Sequence, residues 1–220
     1  MDFITKLETI DLSTSTSTCL DWIDYPIGVY EATGGLLGGI PVICGGQSGA
    51  NVENVCYAIG VGAMSTKRMR AASVALNGER LWISGGFTGS YELSSSEFVN
   101  IDGQTTPGPE LPVTIQMHIM INIAYNNTLV IGGYSSAFGY LATVHFYNHH
   151  YEIWSNAPLL NEARAKTAAG IIVDEVTFEE LVVVTGGLDF TNGIKYILMS
   201  TEILDGGEWS MGRKILFDWS

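Results

Sequence analysis

Hydrophobic residues in this chain come in short blocks, and four of the blocks end the same way. Pro41-Val42-Ile43-Cys44-Gly45-Gly46, Leu81-Trp82-Ile83-Ser84-Gly85-Gly86, Leu129-Val130-Ile131-Gly132-Gly133 and Leu181-Val182-Val183-Val184-Thr185-Gly186-Gly187 each run through apolar residues, rich in Val and Ile, into a pair of glycines. The second glycines lie 40, 47 and 54 residues apart. A short apolar run closed by residues free to take positive φ predicts a buried strand ending in a special backbone turn. Four such strands at this spacing predict one supersecondary unit used repeatedly.

The intervals correspond as well. Met64-Ser65-Thr66-Lys67-Arg68-Met69-Arg70-Ala71-Ala72 aligns without a gap to Leu160-Asn161-Glu162-Ala163-Arg164-Ala165-Lys166-Thr167-Ala168, pairing Arg68 with Arg164 and Arg70 with Lys166. By propensity alone residues 161–170 could be a short Ala-rich helix. The repeat argues against it, because the equivalent stretch runs into Ser73-Val74-Ala75-Leu76-Asn77-Gly78, a strand ending in an Asn-Gly hairpin. After each diglycine come a loop and a strand, and in two units a tryptophan: Trp154 lies 21 residues past Gly133 and Trp209 lies 22 past Gly187. The predicted unit is a four-stranded antiparallel meander.

This pattern resembles kelch repeats, in which a strand ending in Gly-Gly is followed by a Tyr-bearing strand and then by Trp. Tyr147 and Trp154 fit it best, Tyr57 and Trp209 fit in part, Phe98 stands near the Tyr position of the second unit, and Ile203 replaces the Tyr in the fourth. The resemblance implies an all-β fold, a kelch-type β-propeller with each unit forming one blade. The expected blades are 27–64, 65–112, 113–160 and 161–212. They are preceded by a half blade in 1–26, where Leu7 to Leu12 and Asp21-Trp22 read as third and fourth strands, and followed by the start of another strand in 213–220. Kelch propellers usually close with more blades, so the expectation is a fragment, or a ring completed by another route.

Parity then assigns residues to faces. In an up-down-up-down meander the loop between second and third strands and the connection between blades emerge on the same side. The loops carry Phe87, Tyr91, Tyr134, Phe138, Tyr140 and Phe190, and the connections carry Lys67, Arg68, Arg70, Arg164 and Lys166, five of the ten basic side chains. Arg, Tyr and Phe are frequent interface anchors, so this face is the expected partner surface, suited to an acidic or carboxylate-bearing protein or peptide segment. Arg68 and Arg164 also suit a structural role, bonding loop carbonyls and joining neighbouring blades, as a residue repeated in register on a scaffold would. The opposite face would hold Asp174, Glu175, Glu179 and Glu180, with Asn126 and His149-His150.

Composition sharpens this. Hydrophobic residues make up 46% of the 220, enough for a substantial core, while charged residues are only 15% and glycines number 26, as in a turn-rich β protein. Ten basic against 23 acidic residues give a net charge of −13, which phosphate backbones and anionic lipid surfaces repel. Nucleic acid is therefore not an expected partner. No apolar run approaches the roughly 18 residues of a membrane span, and the start, Met1-Asp2-Phe3-Ile4-Thr5-Lys6, has no secretory h-region.

Catalytic chemistry finds little support. Gly46-Gln47-Ser48-Gly49-Ala50 misses the last glycine of a nucleophile elbow, and neither a phosphate loop nor a dinucleotide fingerprint occurs. His118, His145, His149 and His150 do not fall at metal-ligand spacing, so neither metal nor cofactor is expected. The expected function is a non-enzymatic interaction module. Its rival is a carbohydrate-binding or carbohydrate-active propeller, akin to galactose oxidase, in which Tyr134, Phe138 and Phe190 would stack on sugar rings. A hairpin with its tip near Gly49-Ala50 would set Cys44 opposite Cys56, so a cross-strand disulfide is open beside the alternative of buried thiols. Some secreted kelch-like chains look similar there, and Asn126-Asn127-Thr128 is a glycosylation sequon on an expected hairpin tip. These two features favour an extracellular setting; Cys19 and the absent h-region argue the other way.

Overall fold

The computed structural model describes residues 26–57, 62–123, 127–174, 177–191 and 194–212, together with the backbone of Glu8–Thr9 and Leu20–Asp21. No helix occurs among the described residues, and the strands form a four-blade β-propeller arrangement. The first blade pairs Thr33–Leu37, Ile40–Cys44 and Cys56–Tyr57, with a further bridge between Val55 and Ala63. The second is a meander of Ala72–Leu76, Arg80–Ser84, Ser96–Asn100 and Thr105–Pro107. The third runs Ile119–Ile123, Asn127–Ile131, Val144–Asn148, Ile153–Ala157, and the fourth Ala168–Val173, Glu180–Thr185, Thr201–Asp205, Glu208–Met211. Glu8–Thr9 pairs antiparallel with Leu20–Asp21; the remainder of 1–25, and 213–220, lie outside the described residues.

Local chemistry explains these elements. Asn77 and Gly78 both take positive φ, 52° and 70°, giving the backbone handedness that a tight hairpin needs. The Ala-rich stretch is extended: Ala165 bridges to Leu188, and the strand begins at Ala168. Its helix propensity yields to pairing with the neighbouring strand. The second glycine of each pair is held at φ 90–106° and, in the first three blades, its N–H bonds a carbonyl of the next connection: Gly46 to Arg68 at 2.9 Å, Gly86 to Ile115 at 2.8 Å, Gly133 to Arg164 at 2.7 Å. A Cβ on Gly45 or Gly132 would overlap the Arg68 or Arg164 carbonyl, so the diglycine permits a backbone contact between blades that no side chain would allow.

Three apolar clusters fill the spaces between successive blades. Leu37, Val42, Leu81, Ile83 and Val99 lie between the first two; Leu76, Trp82, Ile115, Met120, Val130 and Tyr147 between the second and third; Leu129, Ile131, Val144, Leu160, Val182, Val184 and Trp209 between the last two. Trp82 is fully buried, lies within 6.0 Å of the Phe98, Tyr147 and Trp154 rings, and donates to Ser96 Oγ at 2.8 Å. Trp154 and Trp209 occupy matching places, each on a fourth strand level with the residue four before the first glycine. The aromatic position does not repeat so cleanly. Tyr57 is level with the residue two before that glycine, Phe98 and Ile203 three before, and Tyr147 four before.

Candidate binding site at the axial mouth

The connections between blades determine what reaches the surface. Arg68 accepts the Gly46 N–H from the first blade, while its guanidinium enters the second, donating to the carbonyls of Gly85 (2.8 Å) and Ser95 (3.0 Å) and to Glu97 Oε1 (2.7 Å). Glu97 also receives the Ser65 and Thr66 amides at 2.6 and 3.1 Å. Burial alone would raise the Glu97 pKa, but the Ser65 amide and Arg68 outweigh it, and the carboxyl lies below its usual range. Arg164 repeats the arrangement in the fourth blade with Gly186 O (2.9 Å), Ser200 O (3.3 Å) and Glu202 (2.7 Å), and Glu202 receives the Asn161 and Glu162 amides. The guanidinium side chains of both arginines are fully buried. This corrects the placing of Arg68 and Arg164 on an exposed partner face and bears out their structural role: the terminal nitrogens of both bond carbonyls and a carboxylate inside the protein, fastening one blade to the next.

Two residues further along each connection the chain turns. Glu31, Arg70, Met117 and Lys166 are all left-handed, with φ 54–58°. The amide of each of the last three donates to the carbonyl of the one before it: Arg70 to Glu31 at 2.8 Å, Met117 to Arg70 at 2.8 Å and Lys166 to Met117 at 2.9 Å. The four form an arc of backbone hydrogen bonds around the axis. Glu31 Oε2 takes Arg70 Nε at 2.5 Å and Glu31 Oε1 takes Lys166 Nζ at 2.9 Å, an ion pair between residues of the first and fourth blades. Burial pushes the Glu31 carboxyl up, but Lys166 and Arg70 more than reverse this and hold it below its usual range. Arg70 also donates to Gln116 Oε1 (3.1 Å), Gln116 to Glu92 (2.8 Å), and Glu92 accepts from the Ser136 amide and hydroxyl.

Beside the ion pairs is a cavity of about 220 Å³ lined by Glu31, Ala32, Arg70, Ala71, Met117, His118 and Lys166. Arg70 and Lys166 retain 29% and 46% of their side-chain exposure, so this well holds accessible cations. His118 is buried, and burial, reinforced by the Arg68 charge, pushes its pKa down to about 3. It is therefore a neutral imidazole.

The other expected site residues do not line this well. Lys67 lines a separate polar cleft with Asn51, Glu53, Thr88 and Ser90. Phe87 is half-buried, bridging to Met69 and Glu92; Tyr91 and Phe138 are 63% and 73% exposed. Tyr140 packs edge-on against Tyr134 at 5.3 Å and stacks on Phe190 at 6.5 Å, joining the third and fourth blades by an aromatic row. Cys44 and Cys56 are directly opposite each other on paired strands, both buried, with sulfurs 2.00 Å apart, a disulfide. Asn126 lies outside the described residues. His149 bonds Thr128 Oγ1 at 2.8 Å and packs edge-on against Trp82, a place in the packing. Sequence reasoning missed Glu97, Glu202 and Glu31. The first two had a signal, the matching triplets Ser95-Ser96-Glu97 and Ser200-Thr201-Glu202; Glu31 had none.

No protein-family profile and no curated protein matches the chain. Among solved structures 166 chains match it; one, the structure of YjhT, is similar with a TM-score of 0.82 at 15% sequence identity, over 96% of this chain and 78% of that one. At that identity the likeness establishes the β-propeller fold and nothing finer. No helix among the described residues is long and apolar enough to cross a membrane.

Proposed function

We propose that this chain is a kelch-type, non-enzymatic binding module whose loop face takes an acidic segment of a protein or peptide. The observation that carries the reading is the axial mouth. In a chain of net charge −13, Arg70 and Lys166 converge there on one carboxylate, while Tyr91, Phe138 and Phe190, which follow the blades' diglycines, are exposed. Cations of this kind grip carboxylates by charge-assisted hydrogen bonds, and exposed aromatics add contact area at low entropic cost. Loops held on a rigid scaffold are where binding residues concentrate. The stacked Tyr140–Phe190 pair leaves Phe138 as the freest ring for a sugar, which keeps the carbohydrate reading as the rival.

The test is a peptide array and a glycan array screened with the wild-type protein and with Arg70→Ala/Lys166→Ala. The expected outcome is binding to acidic peptides that falls at least about tenfold in the double variant, the loss of one or two charge-assisted bonds. Peptide binding indifferent to both cations, or glycan binding alone, would overturn the reading.

A further inference from the structure

We propose that Glu31 is a built-in substitute for a ligand carboxylate, so that the axial well is an anion site held closed by the chain itself until an incoming carboxylate takes Glu31's place between Arg70 and Lys166. The inference rests on the loop face being the binding face. It goes further in naming the atom group recognised and the residue that competes with it.

The geometry of the pairing supports it. Glu31 gives one oxygen to each cation, Oε2 to Arg70 and Oε1 to Lys166, as a bound ligand carboxylate would. Its main chain is held in the axial arc by the Arg70 amide, so the side chain can swing aside without disturbing a blade. Buried pairs resist such an exchange, because a partner left behind in low dielectric is costly. Partly exposed pairs do not, since their net contribution is about 0–1 kcal/mol and water can solvate the displaced group. Glu31, Arg70 and Lys166 keep 19%, 29% and 46% of their side-chain exposure, whereas the Arg164 and Glu202 side chains keep none. Replacing one carboxylate by another is close to balanced, and contacts made by the rest of the ligand can tip it.

The well has a second unfilled requirement. His118 Nε2 lies 3.0 Å from Ser84 Oγ, which is also 2.8 Å from Met120 Sδ, and the imidazole tautomer sets which of His118 and Ser84 donates to the other. His118 Nδ1 is buried without a hydrogen-bond partner. The His118 side chain lines the well together with Ala32 and Ala71. The recognition requirement set by Arg70 and Lys166 is a carboxylate, which either an acidic residue of a peptide or a free hydroxy acid supplies.

The experiment measures polarisation of a fluorescein-labelled Glu-Ser repeat peptide, with glucuronate as the free-acid arm, on wild type, Glu31→Gln and Glu31→Gln/Lys166→Met. Unmasking should tighten binding by about tenfold in Glu31→Gln, one charge-assisted hydrogen bond's worth of competition, and the added Lys166→Met should remove the gain. In the wild type, saturation with ligand should return the Glu31 carboxyl titration, followed by carbon NMR, towards the ordinary range, a readout independent of how the variants fold. Equal or weaker binding by Glu31→Gln with an unmoved Glu31 titration would overturn the inference; the loop-face reading would survive if wild-type peptide binding still depended on Arg70 or Phe138. Glucuronate binding alone, tightened in Glu31→Gln, would uphold the masked site and overturn the peptide reading. Failure of both ligands to bind any of the three proteins would overturn both.

Discussion

Arg68 and Arg70 are separated by one residue, as are Arg164 and Lys166, yet the members of each pair have opposite fates. The first of each is buried and fastened to a carboxylate and to carbonyls of the next blade; the second stands at the axial mouth with part of its side chain in water. In a regular extended segment residues two apart point the same way. Here Arg70 and Lys166 take a left-handed conformation and the chain bends, so the regular alternation does not hold between the buried and the accessible cation. A second contrast lies within the buried set. At the positions of Arg68 and Glu97 the third blade has Ile115 and His145, and the first has Val29 and Tyr57, so charged and uncharged rivets alternate around the arrangement. Partners change together: where the arginine goes, so does the glutamate.

The largest effect should come from splitting a rivet. Arg68→Ile leaves Glu97 buried without its guanidinium and should cost about 3–5 kcal/mol. Arg68→Ile/Glu97→His, which copies the third blade, should be more stable than that single variant. Urea unfolding of both decides it, and a double variant weaker than the single would break the link between the two positions. An intermediate effect concerns acid. His118 is neutral when folded, with a pKa about 3, against about 6.5 when unfolded, so the unfolded state binds the extra proton and stability falls as pH drops from 6.5 towards 3. His145 and His149, also held low by burial, act in the same direction. Glu31 and Glu97, held below their usual range, lose their contribution only as pH falls under about 4.5. Between pH 6.5 and 4.5, His118→Gln should therefore flatten the stability profile by up to ~1.4 kcal/mol per pH unit. An unchanged slope would mean that the imidazole is not held neutral. The smallest effect belongs to the axial pair: Arg70→Gln should change stability by under about 1 kcal/mol, less still in 1 M salt, because exposed pairs are screened. A loss as large as that of Arg68→Ile would erase the contrast between the two kinds of cation.

What the sequence revealed, and what it did not, follows from the same physics. Diglycines, β-branched runs and Asn77-Gly78 are local signals, and each lay where its element formed. The gapless match of Met64–Ala72 to Leu160–Ala168 anticipated equivalent hydrogen bonds in two blades, down to the Ser65 and Asn161 amides that reach Glu97 and Glu202. The facing of Cys44 and Cys56 was legible because a hairpin fixes its own register. Burial of Arg68 and Arg164 could not be deduced from parity, which assigns a loop to a face but says nothing of the direction of each side chain. Nor could parity anticipate the left-handed φ at Arg70 and Lys166, both non-glycine residues in a region that L side chains seldom occupy. Glu31 was hidden for a related reason: it meets Lys166 across the axis, 135 residues away, and no short-range pattern records that encounter.

The arc joining Glu31, Arg70, Met117 and Lys166 has one further consequence. Because it runs in a single direction, amide to carbonyl, each of the four side chains is delivered to the centre by its own main chain, with no flexible arm between. The mouth is thus a four-letter address written on backbone. Its chemistry could be respelled one letter at a time while the sheets that frame it stay as they are.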